Sequence, residues 1–314
     1  MKQYDFVKHK NKFFAVSLAI ILLGIIFFLI NGLNLDIQFS GGTRILIETN
    51  GEVDIQSADA IVEEVIGKSV MAQMQKTHSA SDEEKMIYML RLDIASNETL
   101  TDEEINLVID TVTNNFDVKE PINHEILSVT PSIGRETMMN GLKATFIASV
   151  LIILYVTWRF SAMHGISAAV TALIAVFIDI LVVFALYTVF NLPVGESFIV
   201  AVLTIIGYSL NDTIVIYDRI RENSKLMRKN TLEEIVNSSI SQTLTRTINT
   251  TVTTLLTVVT LYIFAAANNI GSLMEFSLPL IVGFISGIYT SVFIAGPLWM
   301  MWRKSTMRKT LKSA

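Results

Sequence analysis

The 314-residue sequence contains no cysteine, which excludes disulfides, thiolate metal sites and a cysteine nucleophile. It is also poor in charge. Only 17% of its residues are Asp, Glu, Lys or Arg, against about 25% in soluble domains. That thinning argues against an ordinary soluble enzyme. A net charge of −5 argues against nucleic acid, which calls for a basic face. No ATP-binding pattern is present. Gly41-Gly42 lacks the rest of a P-loop and reads as a tight bend at a strand start. Any work done by this chain must therefore draw on an ion gradient or on a partner. His78 and His124 are isolated, without metal-ligand spacing. No metal, cofactor or catalytic residue is expected.

What is present is apolar. Hydrophobic residues make up 51% of the chain, too many for disorder, and they collect in runs. A membrane-crossing helix needs about 20 mostly apolar residues. Six runs qualify, at residues 13–30, 139–157, 165–190, 197–217, 248–267 and 276–301. The first follows Lys2, Lys8, Lys10 and Lys12. It is longer than the roughly 7–15 apolar residues of a signal peptide and reads as a retained anchor. Asn191-Leu192-Pro193-Val194-Gly195 is a turn between runs three and four.

Lys/Arg bias sets orientation. With residues 1–12 inside, the basic tail 303–314 is inside too, and the short outer connections 191–196 and 268–275 hold no Lys or Arg. Both termini are thus expected in the cytoplasm. Segment 31–138 then lies outside, with 20 acidic against 7 basic residues. Its pattern reads β-α-β-β-α-β, the order of a ferredoxin-like unit. Ile45-Leu46-Ile47 and Met86–Leu90 read as strands, and Ala58, Ile61, Val62, Val65 and Ile66 have helical spacing. Thr101-Asp102-Glu103-Glu104 is a capping box, and residues 126–129 read as the last strand. The acidic run Asp82-Glu83-Glu84 reads as a solvated loop. The expected fold is a polytopic α-helical membrane protein, with a five-helix bundle at 139–302 and a small extracytoplasmic α+β domain. Residues 219–242, with Leu226, Leu232, Ile235, Val236 and Ile240 at helical spacing, are expected as an amphipathic link on the inner interface.

Charges within membrane segments are costly and mark functional candidates. Asp212 lies in Gly207-Tyr208-Ser209-Leu210-Asn211-Asp212-Thr213, and Asp179 sits within run three. Asn211 and Thr213 flank Asp212 with hydrogen-bonding groups, and Gly207 is expected to admit a neighbouring helix. Arg246 opens run five, followed by Thr250, Thr253, Thr254 and Thr257, expected as a hydroxyl stripe pointing into the bundle. Asp212 and Arg246 are expected at comparable depths, where they can pair as a proton switch. Ionised, the aspartate holds the guanidinium; protonated, it releases it. Asp179 is equally compatible with a functional and a structural role. Gly283 and Gly287 form a small-xxx-small face for helix packing.

These motifs carry a resemblance. The sequence resembles the SecF family of bacterial protein export, itself similar to half of an RND-superfamily transporter. It rests on Gly207–Thr213, Asp218-Arg219-Ile220-Arg221-Glu222, Thr245-Arg246-Thr247-Ile248-Asn249-Thr250, Thr253-Thr254-Leu255-Leu256 and Phe39-Ser40-Gly41-Gly42-Thr43, in order and spacing. The resemblance implies a plasma-membrane subunit that works with SecD, the SecYEG channel and SecA. It implies use of the proton motive force in preprotein translocation. It also implies proton-pathway roles for Asp212 and Arg246, supported by Tyr208, Asn211, Thr213, Asn249, Thr250, Thr254 and Asp179, with a further aspartate on SecD. Gln38 departs from the family's usual Asp, Ala265-Ala266 from Gly-Gly, and Thr290 from the Ser of Tyr-Ser-Ser. The rival readings are a passive assembly subunit without ion movement and half of a small-molecule exporter.

Overall fold

The computed structural model describes residues 5–79, 82–95, 99–268 and 270–313. Lys2, and the side chains of His78, Asp82, Glu83 and Glu84, lie outside the described residues. Six helical spans are long and apolar enough to cross a membrane: Lys10–Asn31, Pro131–Arg159, Gly165–Val189, Glu196–Leu226, Leu232–Ala267 and Gly271–Arg308. The chain is a multi-pass helical membrane protein.

Helix α1 (Lys10–Asn31) leads to a four-residue helix, α2 (Ile37–Ser40), and then to strand β1 (Gly42–Thr49). The bend expected at the paired glycines is there. Gly41 and Gly42 have φ of 79° and 137°, where side chains are strained. A Cβ on Gly41 would also sit 2.7 Å from the Pro131 Cα. The small domain continues with α3 (Ile55–Ile66), β2 (Val70–Ser79), β3 (Asp82–Ala95), α4 (Asp102–Asn115) and β4 (His124–Val129). Its sheet order is β2-β3-β1-β4, with every pairing antiparallel. Ile45, Ile47, Leu90, Leu92 and Ile94 point from one face onto Ala58 and Val62 of α3 and Val108 and Val112 of α4. The Thr101–Glu104 capping box forms and opens α4. The acidic run read as a loop instead opens β3, because Asp82 pairs with Ser79 in the β2–β3 hairpin and ladder bonds override local charge.

The opposite face of the sheet joins the bundle through buried charges. Arg91 reaches Asp93 at 2.7 Å, Asp36 at 3.1 Å and Glu275 at 3.1 Å, and Arg44 reaches Asp36 at 2.7 Å. Burial works against the Arg44 charge, but Asp93 and Asp36 outweigh it and hold the guanidinium above its ordinary value. Gln38 takes another part: its Oε1 accepts the Glu196 N–H at 3.2 Å.

The bundle follows as α5 (Pro131–Arg159), α6 (Gly165–Val189), α7 (Glu196–Leu226), α8 (Leu232–Ala267) and α9 (Gly271–Thr290). A π-turn at Ser291–Ala295 then leads into α10 (Gly296–Ser313). The link expected at 219–242 is not a separate interfacial helix. It is the end of α7 and the start of α8, meeting at the turn 227–231. A capping box of Thr231 and Glu234 starts α8, and nothing interrupts the helix before Ala267. Ile235, Val236 and Ile240 pack with Ile216 and Ile220 in the bundle core. The small-residue face of α9 packs within the chain: a Cβ on Gly283 would meet Ile205, and one on Gly287 would meet Ser209.

Candidate functional site

The two candidate carboxyls stand on neighbouring helices in different surroundings. Asp179 of α6 is fully buried. Its oxygens accept from Ser209 Oγ of α7 at 2.6 Å, Ser286 Oγ of α9 at 2.6 Å, and Thr290 Oγ1 at 2.8 and 2.9 Å. Three hydroxyls on two helices thus close around one carboxyl. Ser209, Ser286 and Thr290 carry no signal in the sequence that ties them to Asp179.

Asp212 of α7 is 3% exposed. Its hydrogen-bonding partner is Thr251 of α8, whose Oγ1 donates to Oδ2 at 3.3 Å. Among the described residues, no ion pair joins Asp212 to Arg246. Thr213 is turned away from Asp212, bonding Ser291 Oγ at 2.9 Å across to the π-turn.

The orientation of α8 corrects the expected hydroxyl stripe. Arg246, Asn249, Thr253 and Thr257 are exposed, and Thr250 and Thr254 are half-buried. The expected stripe therefore faces largely out of the bundle. Thr250, Thr253 and Thr254 donate to helix carbonyls one turn back. The inward face is instead Ser239, Thr243, Thr247 and Thr251. Asn211 and Gly207 on α7 are exposed as well. Gly207, expected to admit a neighbouring helix, faces open space: among the described residues, no atom lies within 4 Å of where its Cβ would stand. Tyr208 links the two helices: its hydroxyl donates to Thr254 Oγ1 at 3.1 Å, while its ring packs at a 38° tilt with its centroid 4.3 Å from that of Phe284 on α9.

The arrangement is thus a buried carboxyl next to a polar, outward-facing surface on two apolar helices. Gly207 and Asn211 contribute from α7, and Arg246, Asn249 and Thr253 from α8. Lipid offers such groups no hydrogen bonds, so the face fits another polar protein surface. Among the described residues, no three His, Asp or Glu side chains converge as metal ligands.

Comparison with known proteins places this architecture. The family model for "Protein export membrane protein SecD/SecF, C-terminal" matches residues 107–305. The chain belongs to the SecD/SecF family. It is 32% identical over 315 residues to the protein translocase subunit SecF of Alicyclobacillus acidocaldarius, covering 99% of this chain and 96% of that protein. It is 34% identical over 312 residues to the protein translocase subunit SecDF of Bacillus subtilis, covering 98% of this chain. The SecF-like chain spans 39% of that longer SecDF protein. The crystal structure of SecDF from Thermus thermophilus, described as a translocon-associated membrane protein, superposes with a TM-score of 0.78 at 29% identity. That match covers 96% of this chain and 39% of the other.

Proposed function

We propose that this chain is the SecF subunit of a bacterial protein translocase, pairing with a SecD chain and using the proton motive force to assist SecYEG- and SecA-dependent export. The observation that carries the reading is the placement of Asp212. It is a buried carboxyl with one hydroxyl partner, beside an exposed polar face that contains Arg246.

In this reading both termini are cytoplasmic, as the Lys/Arg bias favours. The small domain is extracytoplasmic and ferredoxin-like, and its strand order supports that class. SecD covers the face formed by Gly207, Asn211, Arg246 and Asn249. Once that face is covered, Arg246 no longer reaches water, and the charge state of Asp212 decides whether the guanidinium is held. One proton crossing 100 mV supplies about 2.3 kcal/mol. That is enough to move a two-state equilibrium roughly 50-fold. The movement is passed to the preprotein on the outer side, and no covalent chemistry or cofactor is involved.

The test is pulse-chase export of a secretory preprotein in cells lacking this subunit, supplied with wild type or Asp212→Asn at equal membrane levels. Restoration by wild type and failure of a variant that still co-purifies with SecD is the expected result. Equal restoration would make the chain a structural subunit without ion coupling.

A further inference from the structure

The inward face of α8 carries four hydroxyls at strict four-residue spacing: Ser239, Thr243, Thr247 and Thr251. All are buried. Twelve residues of helix make this line about 18 Å long. One end is Asp212, which Thr251 contacts. The other end is Asn223 of α7, whose Nδ2 donates to Ser239 Oγ at 2.9 Å and to Gln242 Oε1 at 2.8 Å. Part of Gln242 reaches solvent, so the line begins at the surface near the α7–α8 turn. Ser239 and Thr243 donate back to helix carbonyls at 2.7 and 3.0 Å, which leaves their lone pairs to accept.

Thr247 departs from this pattern. Its Oγ1 is buried, the residue is 1% exposed, and it has no hydrogen-bond partner among the described residues. A buried hydroxyl without a protein partner is a place for ordered water. Thr247 lies one turn from Thr251 and therefore one turn from the contact with Asp212.

We infer that Ser239, Thr243, Thr247 and Thr251 form the path by which a proton passes between Asp212 and the α7–α8 turn, with water at Thr247. The inference rests on the proton-switch reading of Asp212 and adds its route. Successive rungs are about 6 Å apart along the helix, too far for direct hydrogen bonds, so water bridges them. Flow down the proton motive force starts at the neutral acid of Asp212, which gives up its proton toward Thr251. Each water or hydroxyl accepts on one side and releases its own proton on the other. The last release forms a hydronium at the Gln242 mouth and leaves Asp212 ionised. Arg219 stands at the mouth, where its Nε donates to Gln242 Oε1 at 2.6 Å and its Nη1 pairs with Glu222 at 2.6 Å. The other charged groups are engaged or face elsewhere. Arg246 is exposed on the outer side of α8 and makes no ion pair with Asp212 among the described residues. Asp179 is held by its three hydroxyls. Asp218 pairs with Arg159 of α5 and with Arg221.

The test uses this chain with its SecD partner, reconstituted in liposomes containing a pH-sensitive dye, under an imposed proton gradient. Proton flux is normalised to the assembled complex. Thr247→Val keeps the side-chain shape without the hydroxyl and is expected to slow flux about tenfold, the rate equivalent of one lost hydrogen bond. Thr247→Ser is expected to retain the wild-type rate, which a purely steric role would not give. Thr145→Val, on α5, is the control expected to change nothing. Should Thr247→Val fail to assemble, Ser239→Ala at the mouth is expected to slow flux in the same direction. Wild-type flux in Thr247→Val, with flux abolished in Asp212→Asn, overturns the path and leaves the switch intact. Wild-type flux in Asp212→Asn overturns the switch itself. Uptake of sodium in place of protons also overturns the path, because a metal ion cannot move by hydrogen-bond relay and needs an open passage instead.

Discussion

Asp179 and Asp212 are both buried aspartates inside membrane helices, yet their surroundings differ. Asp179 receives four short contacts from three hydroxyls and sits where α6, α7 and α9 meet. Asp212 receives one contact of 3.3 Å and lies beside exposed Asn211 and Arg246. Ser209 of the Asp179 cage is only three residues from Asp212 on the same helix. A carboxyl whose oxygens are engaged from two other helices acts as interhelical glue. A carboxyl left under-partnered next to an uncovered polar face is free to change partners. Burial does not separate the two. The number of hydrogen-bond donors and the exposed polar face beside Asp212 do.

The sharpest way to break this comparison is to neutralise each carboxyl in turn. Asp212→Asn is expected to abolish gradient-driven export while the chain still folds and co-purifies with SecD, as pulse-chase and affinity capture would report. Asp179→Leu is expected to act on stability instead. It strands three hydroxyls, each worth about 0.6 kcal/mol and up to about 1.7 in membrane proteins. A loss of about 2 kcal/mol is expected in denaturant unfolding of the purified chain. Export per folded molecule should stay near wild type. If Asp179→Leu folds normally but abolishes export, the two aspartates share one function and the contrast fails. Ser209→Ala removes one donor from the cage and none from Asp212. Its expected cost is about 0.6 kcal/mol, with export unchanged.

Much of this contrast is not legible in the sequence. The six apolar runs are, because 20 apolar residues have few other uses. So are the β-α-β-β-α-β order, the Thr101 capping box and the glycine bend, each of which is a local signal. Strand β2 is hard to locate, because Gln73, Gln75 and Lys76 dilute the alternation of Val70, Ala72 and Met74. The orientation of α8 escapes for a different reason. The helix carries two hydroxyl stripes, one through Thr250, Thr253 and Thr257 and one through Ser239, Thr243, Thr247 and Thr251. Periodicity shows that each stripe lies along one side of the helix, but not which side meets α7. The assumption that polar groups face inward holds for a complete bundle. Here a polar face is left uncovered by the chain itself, so the assumption selects the wrong stripe. The cage around Asp179 draws on residues 209, 286 and 290, and no local spacing connects them to position 179.

The smallest expected effect on the chain itself is the one that best tests the polar face beside Asp212. Asn211 and Asn249 are exposed on α7 and α8, and no hydrogen bond within the chain depends on the Asn211 side chain among those described. Replacing both with Leu should therefore leave the stability of the isolated chain within about 0.5 kcal/mol, as for surface positions generally. In lipid, Leu on that face is the better residue, so a monomer would not suffer. A SecD partner that hydrogen-bonds there would lose its counterpart groups, and buried polar atoms without partners are costly. Co-purification with SecD should fall while the melting temperature of the chain alone does not. Equal capture of SecD by the double variant would mean the polar face is not the docking surface. Asp212, buried by this chain alone, would then differ from Asp179 only in its single Thr251 contact.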